Sequence, residues 1–210
     1  MRDFPTSFFL SSALALGMTL TGSALADIDM TQSQPWTDGD LTDLSVCWEH
    51  PGYSEEKAWV EAVIEREYAA KAHLFFIGWS DCAETPDARI RLGIFDFPTH
   101  TKGMGRAIDG MHSGITLNFT FSIWNRQCQM NRRACIEGLA VHEFGHAAGL
   151  PDALIPYEGD EGSCVGKSIA HLSALSFFLD DRSIMNDCNN DWHAAALDEV
   201  DVAALVRLYP

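Results

Sequence analysis

Apolar residues recur along this chain with two different periods, and the switches between them mark its elements. Leu44, Val46 and Trp48 alternate with Ser45 and Cys47, a period of two that predicts a first strand. After the turn His50-Pro51-Gly52, Trp59, Val60, Val63, Ile64 and Tyr68 recur at helical spacing. Ser54 is placed to cap that helix, with Glu55 and Glu56 at its positive end. His73 to Ser80 predicts a second strand. Ala88 to Phe95 predicts a third, alternating Arg89 and Arg91 with Ile90 and Leu92. Pro98 to Gly110 is Gly-rich, reads as a loop and has no phosphate-cradling pattern. Gly114 to Ile123 alternates most regularly. Ile115, Leu117, Phe119, Phe121 and Ile123 are expected on one face, and Thr116, Asn118, Thr120 and Ser122 on the other. Helical spacing returns with Ile136, Leu139, Phe144 and Ala147. An irregular tract then runs to about Ser168, followed by an apolar stretch from Ile169 to Leu179. The last pattern is an amphipathic helix opened by Asp198 and carrying Val200, Val202, Ala203, Leu205, Val206 and Leu208.

The first residues change the domain count. Met1-Arg2, an apolar run from Phe8 to Leu20 and the small-residue site Ala24-Leu25-Ala26 predict an export signal over 1–26. No later segment is long and apolar enough to span a bilayer. The mature chain is expected to begin at Asp27, with an extended acidic arm over 27–43 and one domain over 44–210. It is expected in the secreted or periplasmic space, as a monomer, with no membrane partner after signal cleavage. The six cysteines, Cys47, Cys82, Cys128, Cys135, Cys164 and Cys188, all follow the signal. An even count in an exported chain implies disulfides, and no C-x-x-C pair points to a thiolate metal site. Spacing alone leaves their pairing open. The net charge of −16 repels nucleic acid and anionic membranes.

Candidate chemistry gathers in His142-Glu143-Phe144-Gly145-His146-Ala147-Ala148-Gly149-Leu150-Pro151-Asp152. At i and i+4, His142 and His146 share one helix face, about 6 Å apart along the axis, so both imidazoles can reach one metal ion. Glu143 can then address a water beside that metal rather than the metal itself. Gly149 can adopt positive φ and turn the chain, Pro151 forbids the helix to resume, and Asp152 returns where a third ligand is needed. Two imidazoles and a carboxylate with one open position suit zinc. His171 and His193 follow the motif and are alternatives for the third ligand. His50, His73, His100 and His112 lack a paired spacing and read as surface or structural. No loop has calcium-ligand spacing, and calcium is left open.

This extended motif resembles that of the metzincin zinc endopeptidases, with Asp152 in the place of the usual third His, as in the snapalysin-like branch. Met185 in Ser183-Ile184-Met185-Asn186 is similar to the metzincin methionine turn, which floors the metal site. Leu197 to Tyr209 resembles the last matrixin helix. Val46-Cys47-Trp48-Glu49, Gly78-Trp79-Ser80-Asp81-Cys82 and Cys135 to His142 resemble a group of secreted bacterial matrixin-like proteins. The resemblance implies an α+β fold with a twisted mixed sheet, a long helix and the active-site helix. It implies an upper subdomain over 44–149 and a small irregular lower one over 150–210. It also implies the disulfides Cys47–Cys82, Cys128–Cys135 and Cys164–Cys188. The activity implied is zinc-dependent peptide hydrolysis with Glu143 as general base. A protein or peptide substrate would bind as an extended strand, with Ile115 to Ser122 expected as the receiving edge. A zinc hydrolase acting on cell-wall peptides and a non-catalytic binding protein on the same fold are the alternatives.

Overall fold

The computed structural model describes residues 34–36, 43–123, 125–152, 183–186 and 195–210. The signal segment, most of the arm, the stretch from Ile169 to Leu179, and Cys164, Cys188, His171 and His193 lie outside the described residues. Strand β1 (Asp43–Trp48) leads through helix α1 (Ser54–Ile64), a π-helical turn (Glu65–Ala69) and a last turn α2 (Ala70–Ala72) into β2 (Phe75–Asp81). Then come β3 (Ile90–Ile94), β4 (His100–Thr101), a 3-10 turn (Gly105–Ile108) and β5 (Ile115–Leu117). Helices α3 (Arg126–Met130), α4 (Arg132–Ala147) and α5 (Glu199–Leu208) complete the order. Among the described residues no helix is long and apolar enough to cross a membrane.

The sheet order is β2-β1-β3-β5-β4, with β4 antiparallel to β5 and the other pairs parallel. Parallel strands lie inside a structure and need apolar residues on both faces. In β3, Ile90, Leu92 and Gly93 are accordingly all buried. Between β1 and β2 the register shifts after Val46, leaving Trp79 as an extra residue. Gly78 and Trp79 both have positive φ there, the mark of a bulge. The Trp79 ring lies against Phe144 of α4 with centroids 5.6 Å apart. Phe76 meets the same Phe144 edge-on at 4.8 Å, and the buried Tyr68 donates its hydroxyl to Val141 O at 2.5 Å. The disulfide Cys47–Cys82 ties the end of β2 to β1, and Cys128–Cys135 ties α3 to the first turn of α4.

Several expectations need correction. Ser54 does not cap α1. Tyr53 takes that position with φ 55°, no side chain caps the helix, and Lys57 N–H closes the turn on Tyr53 O. The helical rod runs on past Tyr68 to Ala72, where His73 stops it at φ 52°. Its π turn carries the buried Glu67, which accepts from Arg66, Lys71 and Leu197 N–H and so fastens the chain before α5. The stretch from Gly114 to Ile123 is a strand only over Ile115–Leu117. Asn118 ends it, because its Oδ1 accepts from Thr120 N–H and Phe121 N–H while its Nδ2 donates to Asp96 Oδ1 and Phe97 O. A side chain that saturates the backbone locally competes with the ladder. Ile123 does not share the buried face of Phe119 and Phe121 and is 81% exposed. Nor is β5 the edge, since β4 covers it, and among the described residues the edge belongs to a two-residue strand inside the tract read as a loop.

Candidate metal centre

Helix α4 carries the centre, and its C-terminal end is built to place a third group. Leu150 N–H donates to Gly145 O and Gly149 N–H to His146 O, with Gly149 at φ 92°. These are the paired bonds of a Schellman ending, which a left-handed glycine permits. The turn brings Leu150 O back to His146, whose Nδ1 donates to it at 2.9 Å. Two residues later Asp152 Oδ1 lies 3.1 Å from His146 Nε2 and 3.5 Å from His142 Nε2. The last carbonyls of α4 find partners from distant chain. The buried Trp36 donates Nε1–H to Ala147 O at 2.8 Å, and Tyr209 donates its hydroxyl to Ala148 O at 2.8 Å.

From the other side comes the turn Ser183–Asn186, closed by Asn186 N–H on Ser183 O. Asp201 of α5 holds it, accepting from Ser183 Oγ–H at 2.6 Å and from Ile184 N–H at 3.2 Å. Asp198 caps α5 in a reciprocal box with Asp201. Ile184 O then accepts from His142 Nδ1 at 2.8 Å. A carbonyl can only accept, so both imidazoles carry a proton on Nδ1, and Nε2 is the nitrogen that faces Asp152. Met185 is buried beneath α4, its sulfur against Gly145.

His142, His146 and Asp152 thus offer one ligand atom each, all within 4.8 Å of one another. His142 is buried, His146 half-buried, and the Asp152 side chain is 40% exposed, which opens the group on one side. Burial opposes charge on His146, but Asp152, Glu143 and the Leu150 carbonyl raise its imidazole to about 9. Glu143 is buried. That burial raises its carboxyl above the ordinary carboxylate range, while the two imidazoles and the Thr101 hydroxyl pull it down. Thr101 Oγ1 lies 2.7 Å from Glu143 Oε2.

The fold is similar to that of two solved structures of myroilysin. One has a TM-score of 0.55 at 14% identity and covers 86% of both chains. The other has a TM-score of 0.53 at 15% identity, covering 80% of this chain and 92% of that one. The fold is metzincin-like. No family model and no curated protein matches the sequence.

On this metzincin-like frame the motif residues His142, Glu143, His146, Gly149, Asp152 and Met185 come together at one place. The other histidines that are described do not join them. His50 Nδ1 accepts from Ile94 N–H, His112 pairs with Glu49, and His73 ends a helix. Sequence reasoning missed Thr101, Trp36 and Asp201. The tryptophan and the acid have a signal in principle, an apolar residue within a polar arm and a second acid three residues after a capping Asp. Thr101 has none.

Proposed function

We propose that this chain is an exported zinc-dependent endopeptidase. The observation that carries this is Glu143, a buried carboxylate held by Thr101 beside an open group of two imidazoles and a carboxylate. The donor set fits zinc, with both Nε2 lone pairs and the Asp152 carboxylate converging and solvent access on one side. Zinc bound to His142, His146 and Asp152 would polarise the scissile carbonyl and lower the pKa of a water towards about 7. Glu143 takes the proton from the attacking water and delivers it to the leaving nitrogen as the C–N bond breaks. Asp152, being anionic, offsets part of the metal's charge, so a pH optimum at neutral or above is expected.

The substrate enters as an extended strand on β4, the edge strand among the described residues and the one whose Thr101 meets Glu143, rather than on β5. Main-chain pairing of that kind reads backbone, and side-chain pockets give selectivity. Glu143→Gln tests the assignment. It keeps the shape and removes the base, so zinc per chain and melting temperature stay at wild-type values while casein cleavage falls by about a hundredfold or more. Cleavage at the wild-type rate would overturn the mechanism, and a metal other than zinc in the purified protein would overturn the ion.

A further inference from the structure

Thr101 faces two ways. Lys102 N–H donates to Gly114 O at 2.9 Å, and Thr101 pairs with Ile115. Backbone groups alternate along a strand, and this bond marks Thr101–Ile115 as a pair that does not exchange hydrogen bonds. The N–H and C=O of Thr101 therefore point away from β5, toward the side of β4 that no described strand pairs with. Its side chain stands off the sheet onto α4, with Oγ1 at 2.7 Å from Glu143 Oε2 and 3.1 Å from Glu143 O. A threonine hydroxyl has one proton to give, and the shorter contact goes to the carboxylate. Among the described residues Thr101 is the hydrogen-bond partner of the Glu143 carboxylate, across 42 positions of sequence.

We infer that Thr101 is a positioning residue that couples the docking of a substrate strand on β4 to the orientation of Glu143. Main-chain pairing at Thr101 fixes the backbone from which its hydroxyl projects. The hydroxyl then holds one carboxylate oxygen and leaves the other for the proton being transferred. This inference rests on the peptidase reading above. It adds that contacts with the edge strand raise turnover as well as tightening binding. Remote binding energy is then used at the reacting centre, so truncated peptides lose kcat and not merely affinity.

The test uses the full zinc-loaded enzyme with Thr101→Val, Thr101→Ala and Thr101→Ser. It compares a short peptide and a longer one with the same scissile bond, and measures zinc per chain. Affinity for the uncleaved longer peptide is read by fluorescence anisotropy, with each substitution placed on Glu143→Gln. A lost hydrogen bond to a charged group predicts that Val and Ala lower kcat by about tenfold to a hundredfold. KM, peptide affinity and zinc content stay within about twofold, and Thr101→Ser recovers most of the turnover. The kcat advantage of the longer peptide disappears in the Val and Ala variants. Wild-type kcat in Thr101→Ala, a loss confined to KM, or a Ser variant as slow as Ala would overturn the inference. Ala removes the hydroxyl without setting a methyl against the carboxylate, so a folding defect confined to Val does not decide the matter. If Glu143→Gln itself cleaves, the peptidase mechanism fails. If it is inactive while Thr101→Ala is normal, the coupling alone fails.

Discussion

One methyl group at Gly145 would test how closely α4 and the methionine turn are fitted. A Cβ there would lie 2.3 Å from Met185 Sδ, 3.0 Å from Met185 Cε and 3.3 Å from Tyr68 Oη. In an exposed helix interior, replacing Gly by Ala stabilises by about 1 kcal/mol. Here the sulfur must retreat by roughly 1 Å to reach ordinary contact. Met185 is 2% exposed and Tyr68 is fully buried beside it, its hydroxyl committed to Val141 O, so nothing nearby yields freely. Overpacking of a filled core costs about 1–3 kcal/mol, which after the helix gain leaves Gly145→Ala destabilising by about 0–2 kcal/mol. Metal affinity is the more sensitive readout. The displaced residue follows Ile184, whose carbonyl holds His142, and losing such an outer contact weakens binding about tenfold or more. Urea midpoints of Gly145→Ala, Met185→Ala and the double variant form a cycle. The new methyl has room once Met185 is truncated, so the double variant should lose at least about 1 kcal/mol less than the two single losses added. An additive cycle, or a single variant more stable than wild type with unchanged zinc affinity, refutes the reasoning.

Two further tests address charge. Burial alone would raise Glu49, but hydrogen bonds from Arg91, Ser113 and His112 hold its carboxyl down at about 2. That stability is fully present above about pH 4.5 and is lost as pH falls toward 2. Linkage caps it at about 3 kcal/mol, and screening around the exposed His112 leaves about 1–2 kcal/mol. The stability difference between wild type and Glu49→Gln should therefore shrink over that window, and a pH-independent difference in urea midpoints rejects the network. Asp152→Ala should lower zinc affinity by more than about a hundredfold, the upper end of what outer contacts cost. Unchanged affinity by competitive chelator titration would remove Asp152 from the ligands and return His171 and His193 to consideration.

What could be read in the sequence was local. The His142–His146 spacing is helix geometry, and the turn after it needs a residue that accepts φ 92°, which Gly149 supplies four residues after Gly145. Asp198 announces its helix through a cap made within three residues. What could not be read joins distant parts of the chain through residue types common anywhere. Trp36 reaches Ala147, Thr101 reaches Glu143, and Asp201 reaches Ser183 and Ile184. No periodicity records such pairings, because each depends on where the whole sheet puts the two ends.

The misplaced edge strand shows why regularity was a poor guide to function. From Ile115 to Asn118 every residue is buried, as an inside strand requires, so the alternation of apolar and polar residues there did not report a wet face. Asn118 is consumed internally, satisfied by Asp96, Phe97, Thr120 and Phe121. Asn118-Phe119-Thr120 also matches the N-glycosylation pattern, but Asn118 is 2% exposed and its amide is already bonded, so it offers no acceptor for a glycan. An edge that receives a substrate needs the opposite of a long apolar pattern. It must leave backbone groups open without inviting other chains to pair, and short length is one way to achieve this. His100–Thr101 meets that requirement with two residues of ladder, too few to carry any period. The residue that hydrogen-bonds the proposed base therefore lies where pattern has least to offer, and the fold alone brings it to Glu143.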